Sequence, residues 1–197
     1  MFVLDEGVRG LVLGLVSGSV SPDVFRGEVA RLTGVGDMVL LSRQMLESAA
    51  FGCDSMLVEC GVAVGHRFGF SMESIRVLNV LLESKWHVKH EDIVDAIGNA
   101  GMSDSVPYLA RALSQALPYM QYDCGRSFRR RVLWALYKIG TVEAVVVLER
   151  VREEGRSIAS LADDRIRALA SGASVPQDAK ELAAGFVRDR PTSGEEE

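Results

Sequence analysis

The chain has 197 residues, 48% of them hydrophobic and 25% charged, which is enough apolar side chain to close a core and too much for a disordered segment. Its 27 acidic against 22 basic groups, a formal net charge of −5, count against a protein that grips a polyanion along its whole length. Cys53, Cys60 and Cys124 make an odd total without C-x-x-C spacing, so neither a disulfide framework nor a zinc ribbon is expected.

The charge is unevenly spread: residues 1–98 hold 13 acidic and 8 basic groups, and residues 99–197 hold 14 of each. The first residues are acidic where a signal peptide needs basic ones, and the apolar run 11–16 is too short to span a bilayer. These features predict a soluble cytoplasmic protein with no membrane partner.

Residues 3–17 are apolar, contain Gly7, Gly10 and Gly14, and are closed by a Gly-Ser-Val-Ser cluster, which predicts a helix of modest quality. Ser21, Pro22 and Asp23 then supply a cap, a proline at the first helical position and an acid in the first turn. A helix is expected from there to about Leu32, stopping near Gly34. From Asp37, the positions Val39, Leu40, Met45 and Leu46 fit a third helix to about Ala50. Asp54 can cap a fourth, carrying Met56, Leu57, Cys60 and Val64 and ending near Gly69. Ser71 caps a fifth, apolar around most of its circumference at Ile75, Leu78, Val80, Leu81 and Leu82, as in a helix sandwiched between others.

Residues 86–89 read as a connection, and Glu91 and Asp92 place negative charge at the positive end of the next helix, whose face is Ile93, Ala96, Ile97 and Ala100. Ser103 is expected to cap its partner, with Val106, Leu109, Ala110, Leu113 and Leu117 on one face and Pro107 tolerated in the first turn. Residues 118–126 form a longer loop. A further pair follows, with Phe128, Val132, Ala135, Leu136 and Ile139 on one helix and Val145, Leu148 and Val151 on the other, ending at Gly155. Ser157 caps a helix with Ile158, Leu161, Ile166 and Leu169, and Pro176 opens a last one with Ala179, Leu182, Ala183 and Phe186. Residues 191–197 are an acidic tail.

No segment alternates with period two, so the fold class is all-α, with about ten helices. Within it, the stretch Asp95-Ala96-Ile97-Gly98-Asn99-Ala100-Gly101 returns 39 residues later as Trp134-Ala135-Leu136-Tyr137-Lys138-Ile139-Gly140, each followed by a polar turn and a second apolar helix. That is the form of a two-helix repeat that buries its face only by stacking on neighbours. A weaker echo occurs at Gly69-Phe70-Ser71-Met72-Glu73.

These pairs resemble HEAT repeats of the short bacterial kind, strongly over residues 91–152 and at most over 54–190. The resemblance implies a right-handed α-solenoid, with residues 1–53 as an N-terminal helical cap, 54–190 as repeats and 191–197 as a flexible tail. It also implies a concave surface lined by second helices, which in that family usually binds a protein. Some members bind modified nucleic acid, and one branch handles bilin chromophores. The repeat motif is structural, so it transfers no catalytic residue.

Two features suggest a site. Arg126, Arg129, Arg130 and Arg131 crowd positive charge into the opening of a helix, where the macrodipole disfavours it by a few tenths of a kcal/mol each. Either acidic residues of the neighbouring repeat pair with them, or they face an acidic partner or a phosphate backbone. Tyr119 and Tyr122 lie just before them, and exposed Tyr with Arg is typical of interface hot spots. Arg76, Asn79, Arg111 and Gln115 are polar positions the second helices could present on a concave face. His87, His90 and Glu91 crowd together without a fourth ligand, and the histidines read as structural or solvent-facing; Asp163, Asp164, Glu153 and Glu154 read as solvated. No nucleophile elbow, P-loop, dinucleotide fingerprint or zinc-protease motif is present.

The expected function is therefore non-enzymatic protein binding without a cofactor, in its most concrete form an immunity or adaptor protein recognising a toxin or effector. A nucleic-acid-binding repeat protein and a lyase-type repeat enzyme are the alternatives.

Overall fold

The computed structural model describes residues 2–154, 158–172 and 175–188, apart from the side chains of Gln121, Tyr122 and Arg188. Among these residues there are eleven α-helices, two short 3-10 segments and no strand, so the chain is all-helical. None of the helices is long and apolar enough to cross a membrane. Contacts divide the chain into two compact units, Met1–Ala96 and Ile97–Glu197. The division falls within the helix His90–Ala100.

Unit 1 begins with α1 (Glu6–Ser17), α2 (Pro22–Thr33), α3 (Met38–Gly52), α4 (Ser55–Phe68) and α5 (Met72–Leu82). Their starts follow the capping chemistry. Asp5, Ser21, Asp37, Asp54 and Ser71 each accept backbone N–H groups that the first helical turn leaves unpartnered. The core forms where α3 packs on α4 and α5, around Leu41, Met45, Leu46, Val58, Ile75 and Leu78, all fully buried or nearly so. Phe25 of α2 stacks on Phe68 of α4 with ring centroids 5.6 Å apart. The fifth helix is less enclosed than its composition suggests, because Val80 and Met72 face solvent.

The helix α6 (His90–Ala100) carries the chain into unit 2, where α7 (Val106–Ala112), α8 (Arg126–Ile139), α9 (Val142–Glu153), α10 (Ala159–Ser171) and α11 (Gln177–Arg188) follow. The 39-residue repeat is visible as backbone geometry. Gly101 and Gly140 both end their helices in the left-handed region, at φ 67° and 62°. Their N–H groups bond the equivalent carbonyls of Ile97 and Leu136. Side-chain-free Gly98 lets α6 approach α8 closely; a Cβ there would stand 2.9 Å from Ala135 Cα.

The sequence reading fails at α7. Ser103 makes no side-chain cap; a 3-10 turn, Ser103–Ser105, precedes the helix, which ends at Ala112 instead of reaching Leu117. Pro118 disfavours helical backbone only at Leu117; the helix has already given way after Ala112, where the N–H groups of Ser114 and Gln115 bond the carbonyls three residues back, Arg111 and Ala112. Leu113 and Leu117 are buried all the same, folded under by the turn. The loop expected next is a 3-10 segment, Pro118–Asp123, kinked at Met120. The expected features at Gly155, Ser157 and 191–197 lie outside the described residues.

Candidate binding face on α8

The chain enters α8 through two consecutive left-handed residues, Cys124 and Gly125, at φ 55° and 72°. Asp123 then takes the capping role: its carboxylate accepts the N–H groups of Arg126 at 3.1 Å and Ser127 at 2.7 Å, and the Ser127 hydroxyl as well. The Ser127 hydroxyl, more than the backbone N–H groups, holds the Asp123 carboxyl below the usual carboxylate range. This cap offsets the helix-dipole penalty that the arginines incur, so a helix opening on four cations within six residues is feasible.

Beyond the cap, α8 has five basic residues and no acidic one. Phe128, Val132, Leu133, Ala135, Leu136 and Ile139 are buried, and the opposite side is left to the row Arg126, Arg130, Trp134 and Lys138. These four are spaced i, i+4, i+8, i+12, all exposed, and the row runs about 18 Å along the helix. Arg129 is half-buried and folds back to the carbonyl of Cys124.

Trp134 sits at the centre of an aromatic and cationic cluster. Tyr137 lies nearly parallel to it, with centroids 5.2 Å apart. Arg165 of α10 lies over the Trp134 ring at 4.2 Å and over the Tyr137 ring at 5.7 Å. Lys138 is 5.9 Å from the Trp134 ring, and its Nζ donates to the neutral amide oxygen of Asn99 at 2.7 Å. Among the described residues, no ion pair engages Arg126, Arg130, Lys138 or Arg165. Other cations of the chain do find carboxylates: Arg31 with Glu28, Arg43 with Glu47, Lys89 with Glu59, and Arg152 with Glu149 and Asp163. A row of cations that no described carboxylate pairs with, on a chain of net negative charge, is suited to an anionic partner.

The other sequence-predicted positions scatter. Arg76 is exposed on α5, but Asn79 is 3% exposed and turned inward. Arg111, exposed on α7, lies 4.7 Å from the Tyr108 ring, and Gln115 is half-buried in the turn that follows. Tyr119 is 38% exposed while its neighbour Met120 is buried; the Tyr122 side chain lies outside the described residues. Sequence reasoning did not place Trp134 in the site, and it missed Arg165 and Lys138. Helical periodicity alone could have found Lys138, four residues after Trp134; Arg165 is brought in by tertiary packing.

The histidines are structural in geometry. His87 and His90 are buried and stacked, with centroids 4.3 Å apart. His87 Nε2–H donates to the Leu81 carbonyl at 2.8 Å, and its Nδ1 accepts the Lys89 N–H at 3.2 Å, which assigns it one neutral tautomer. His90 Nε2–H donates to the Ser84 carbonyl at 2.7 Å. Burial pushes both below the usual histidine range, and His90, further disfavoured by His87, falls to about 4. No group of three or more His, Cys, Asp or Glu side chains among the described residues is arranged to hold a metal ion.

The acidic groups of the C-terminal helices depart from expectation at Asp163, which is not simply solvated. Arg152, buried, donates to Glu149, to Asp163 at 3.1 Å and to the Phe186 carbonyl, and Arg167 bonds Asp163 at 2.8 Å. Burial works to raise the Asp163 carboxyl, but the bonds from Arg167 and Arg152 outweigh it and leave it below its usual range. Glu149, Arg152 and Asp163 thus tie α9, α10 and α11 together. Comparison of the chain with family models, with curated proteins and with solved structures finds no match.

Proposed function

We propose that this chain is a non-enzymatic protein-binding module. Its matched helix pairs stack as a HEAT-like, right-handed α-solenoid in the cytoplasm, and the exposed side of α8 with Arg165 is its contact surface. In the narrowest form it is an immunity or adaptor protein that recognises one toxin or effector. The observation that carries the reading is the row Arg126, Arg130, Trp134 and Lys138, in which cations without carboxylate partners among the described residues flank an exposed tryptophan. Trp, Tyr and Arg are the residues that most often dominate protein interfaces. The repeat glycines Gly101 and Gly140, with their equivalent hydrogen bonds, support the repeat architecture.

The test is affinity capture from the source cells with the full chain as bait, alongside an Arg126→Glu, Arg130→Glu double variant. A stoichiometric protein partner retained by the native chain and lost by the variant is the expected result; capture of no protein at all rejects the reading.

A second reading, nucleic-acid binding through the same arginines, is favoured by the one-turn separation of Arg126 and Arg130, about 6 Å, which is close to the spacing of successive phosphates. It requires a salt-sensitive mobility shift; absence of a shift at low salt dismisses it.

A further inference from the structure

We infer that the partner docks on α8 as an acidic amphipathic helix, with carboxylates one turn apart facing Arg126 and Arg130 and an apolar residue facing Trp134. This rests on the protein-binding reading above and names the chemistry of the occupant.

Three observations select it. The first is charge. Arg126, Arg130, Lys138 and Arg165 have no carboxylate among the described residues, and Asp123, the acid nearest in sequence, is engaged by the N–H groups of Arg126 and Ser127. The second is period. The exposed row repeats every four residues over about 18 Å, the period at which a second helix laid alongside would present its own i, i+4 side chains. Opposite charges facing each other across such a contact set partner choice and orientation, as at the flanking positions of a coiled coil.

The third observation separates a protein from a nucleic acid. Stacking a base needs an open ring face, and Trp134 is 39% exposed with Arg165 lying 4.2 Å over its ring and Tyr137 beside it. What it offers outward is a modest apolar surface, suited to a leucine or methionine.

The experiment titrates the full chain by calorimetry with three probes. These are a synthetic helical peptide of about 15 residues carrying glutamates one turn apart around a central leucine, the same peptide with its glutamates replaced by glutamine, and oligothymidylate. The expected result is binding of the glutamate peptide alone, weakened about tenfold between roughly 50 and 300 mM salt. Arg126→Glu with Arg130→Glu should abolish it, and Trp134→Ala should weaken it about tenfold at every salt concentration. Arg26→Glu with Arg31→Glu, an equal charge change on α2, should leave it intact.

Equal loss in that α2 variant overturns the inference, because the attraction would then belong to the whole chain. Tighter binding of oligothymidylate overturns it in favour of a nucleic acid. Self-association that disappears in the α8 variant overturns it in favour of a second copy as occupant. Failure here is distinct from failure of the broader reading. If a captured protein partner survives the Arg126→Glu, Arg130→Glu change, the module binds protein through another surface and only this inference falls.

Discussion

His87 and His90 are both held neutral by burial, and their donors and acceptors are committed to the chain turning from α5 into α6. Their pKa values are lowered in the folded state, so the unfolded chain binds more protons between the two limits. The stability they contribute is complete above about pH 6.5 and is lost as pH falls toward about 4. For His90 alone, a fall from the ordinary histidine value of 6.5 to about 4 corresponds to on the order of 3 kcal/mol. Urea unfolding at pH 7 and pH 4.5, with NMR titration of the ring protons, measures it; a His90→Gln variant should show a shallower acid slope. Two glycines should respond in opposite ways. Gly98→Val drives a side chain into the Ala135 backbone and should cost about 1–3 kcal/mol. Gly27→Ala, inside α2 with nothing within 4 Å, should add roughly 0.5–1 kcal/mol by removing backbone freedom from the unfolded chain. Thermal melts of the two variants give the signs.

At the scale of elements, the C-terminal helices are held by a buried charge cluster as well as by apolar packing. Arg152 is pulled in by Glu149, Asp163 and the Phe186 carbonyl, and it remains charged despite its burial. Truncating it strands Glu149 in the interior, so Arg152→Ala should cost about 3–5 kcal/mol. The paired change Glu149→Leu with Arg152→Met removes both charges and should cost much less, because no unpaired ion is left behind. Chemical denaturation of the two variants distinguishes a cluster needed for stability from one that serves only to define the packing. Within the same unit, α8 shows how a helix with an unfavourable opening is rescued locally, by Asp123 and two left-handed residues.

For the whole molecule, charge is the organising property. Unit 1, Met1–Ala96, carries the chain's entire net −5, while unit 2 is balanced yet gathers five cations on one helix. The side chains of Arg126 and Arg130 are exposed and make no ion pair among the described residues, so reversing both should leave the melting temperature unchanged or slightly higher, since acids suit a helix N-terminus. A marked loss of stability would show that the two arginines support the fold and would remove the reason to treat them as a contact surface.

The amino-acid sequence by itself determined the all-helical class, most helix starts and the 39-residue repeat, because capping residues, prolines and helical periodicity act over a few neighbouring positions. It marked the arginines of α8 as a charge cluster for the same reason, but left the histidines open between structural and solvent-facing. Tertiary structure alone decided that Asn79 turns inward, that α7 stops a turn early over Leu113 and Leu117, and that Asp163 serves a buried cluster. It also brought Arg165, 31 residues downstream, over Trp134. Those outcomes depend on which side chains from distant segments meet, and local periodicity carries no information about that.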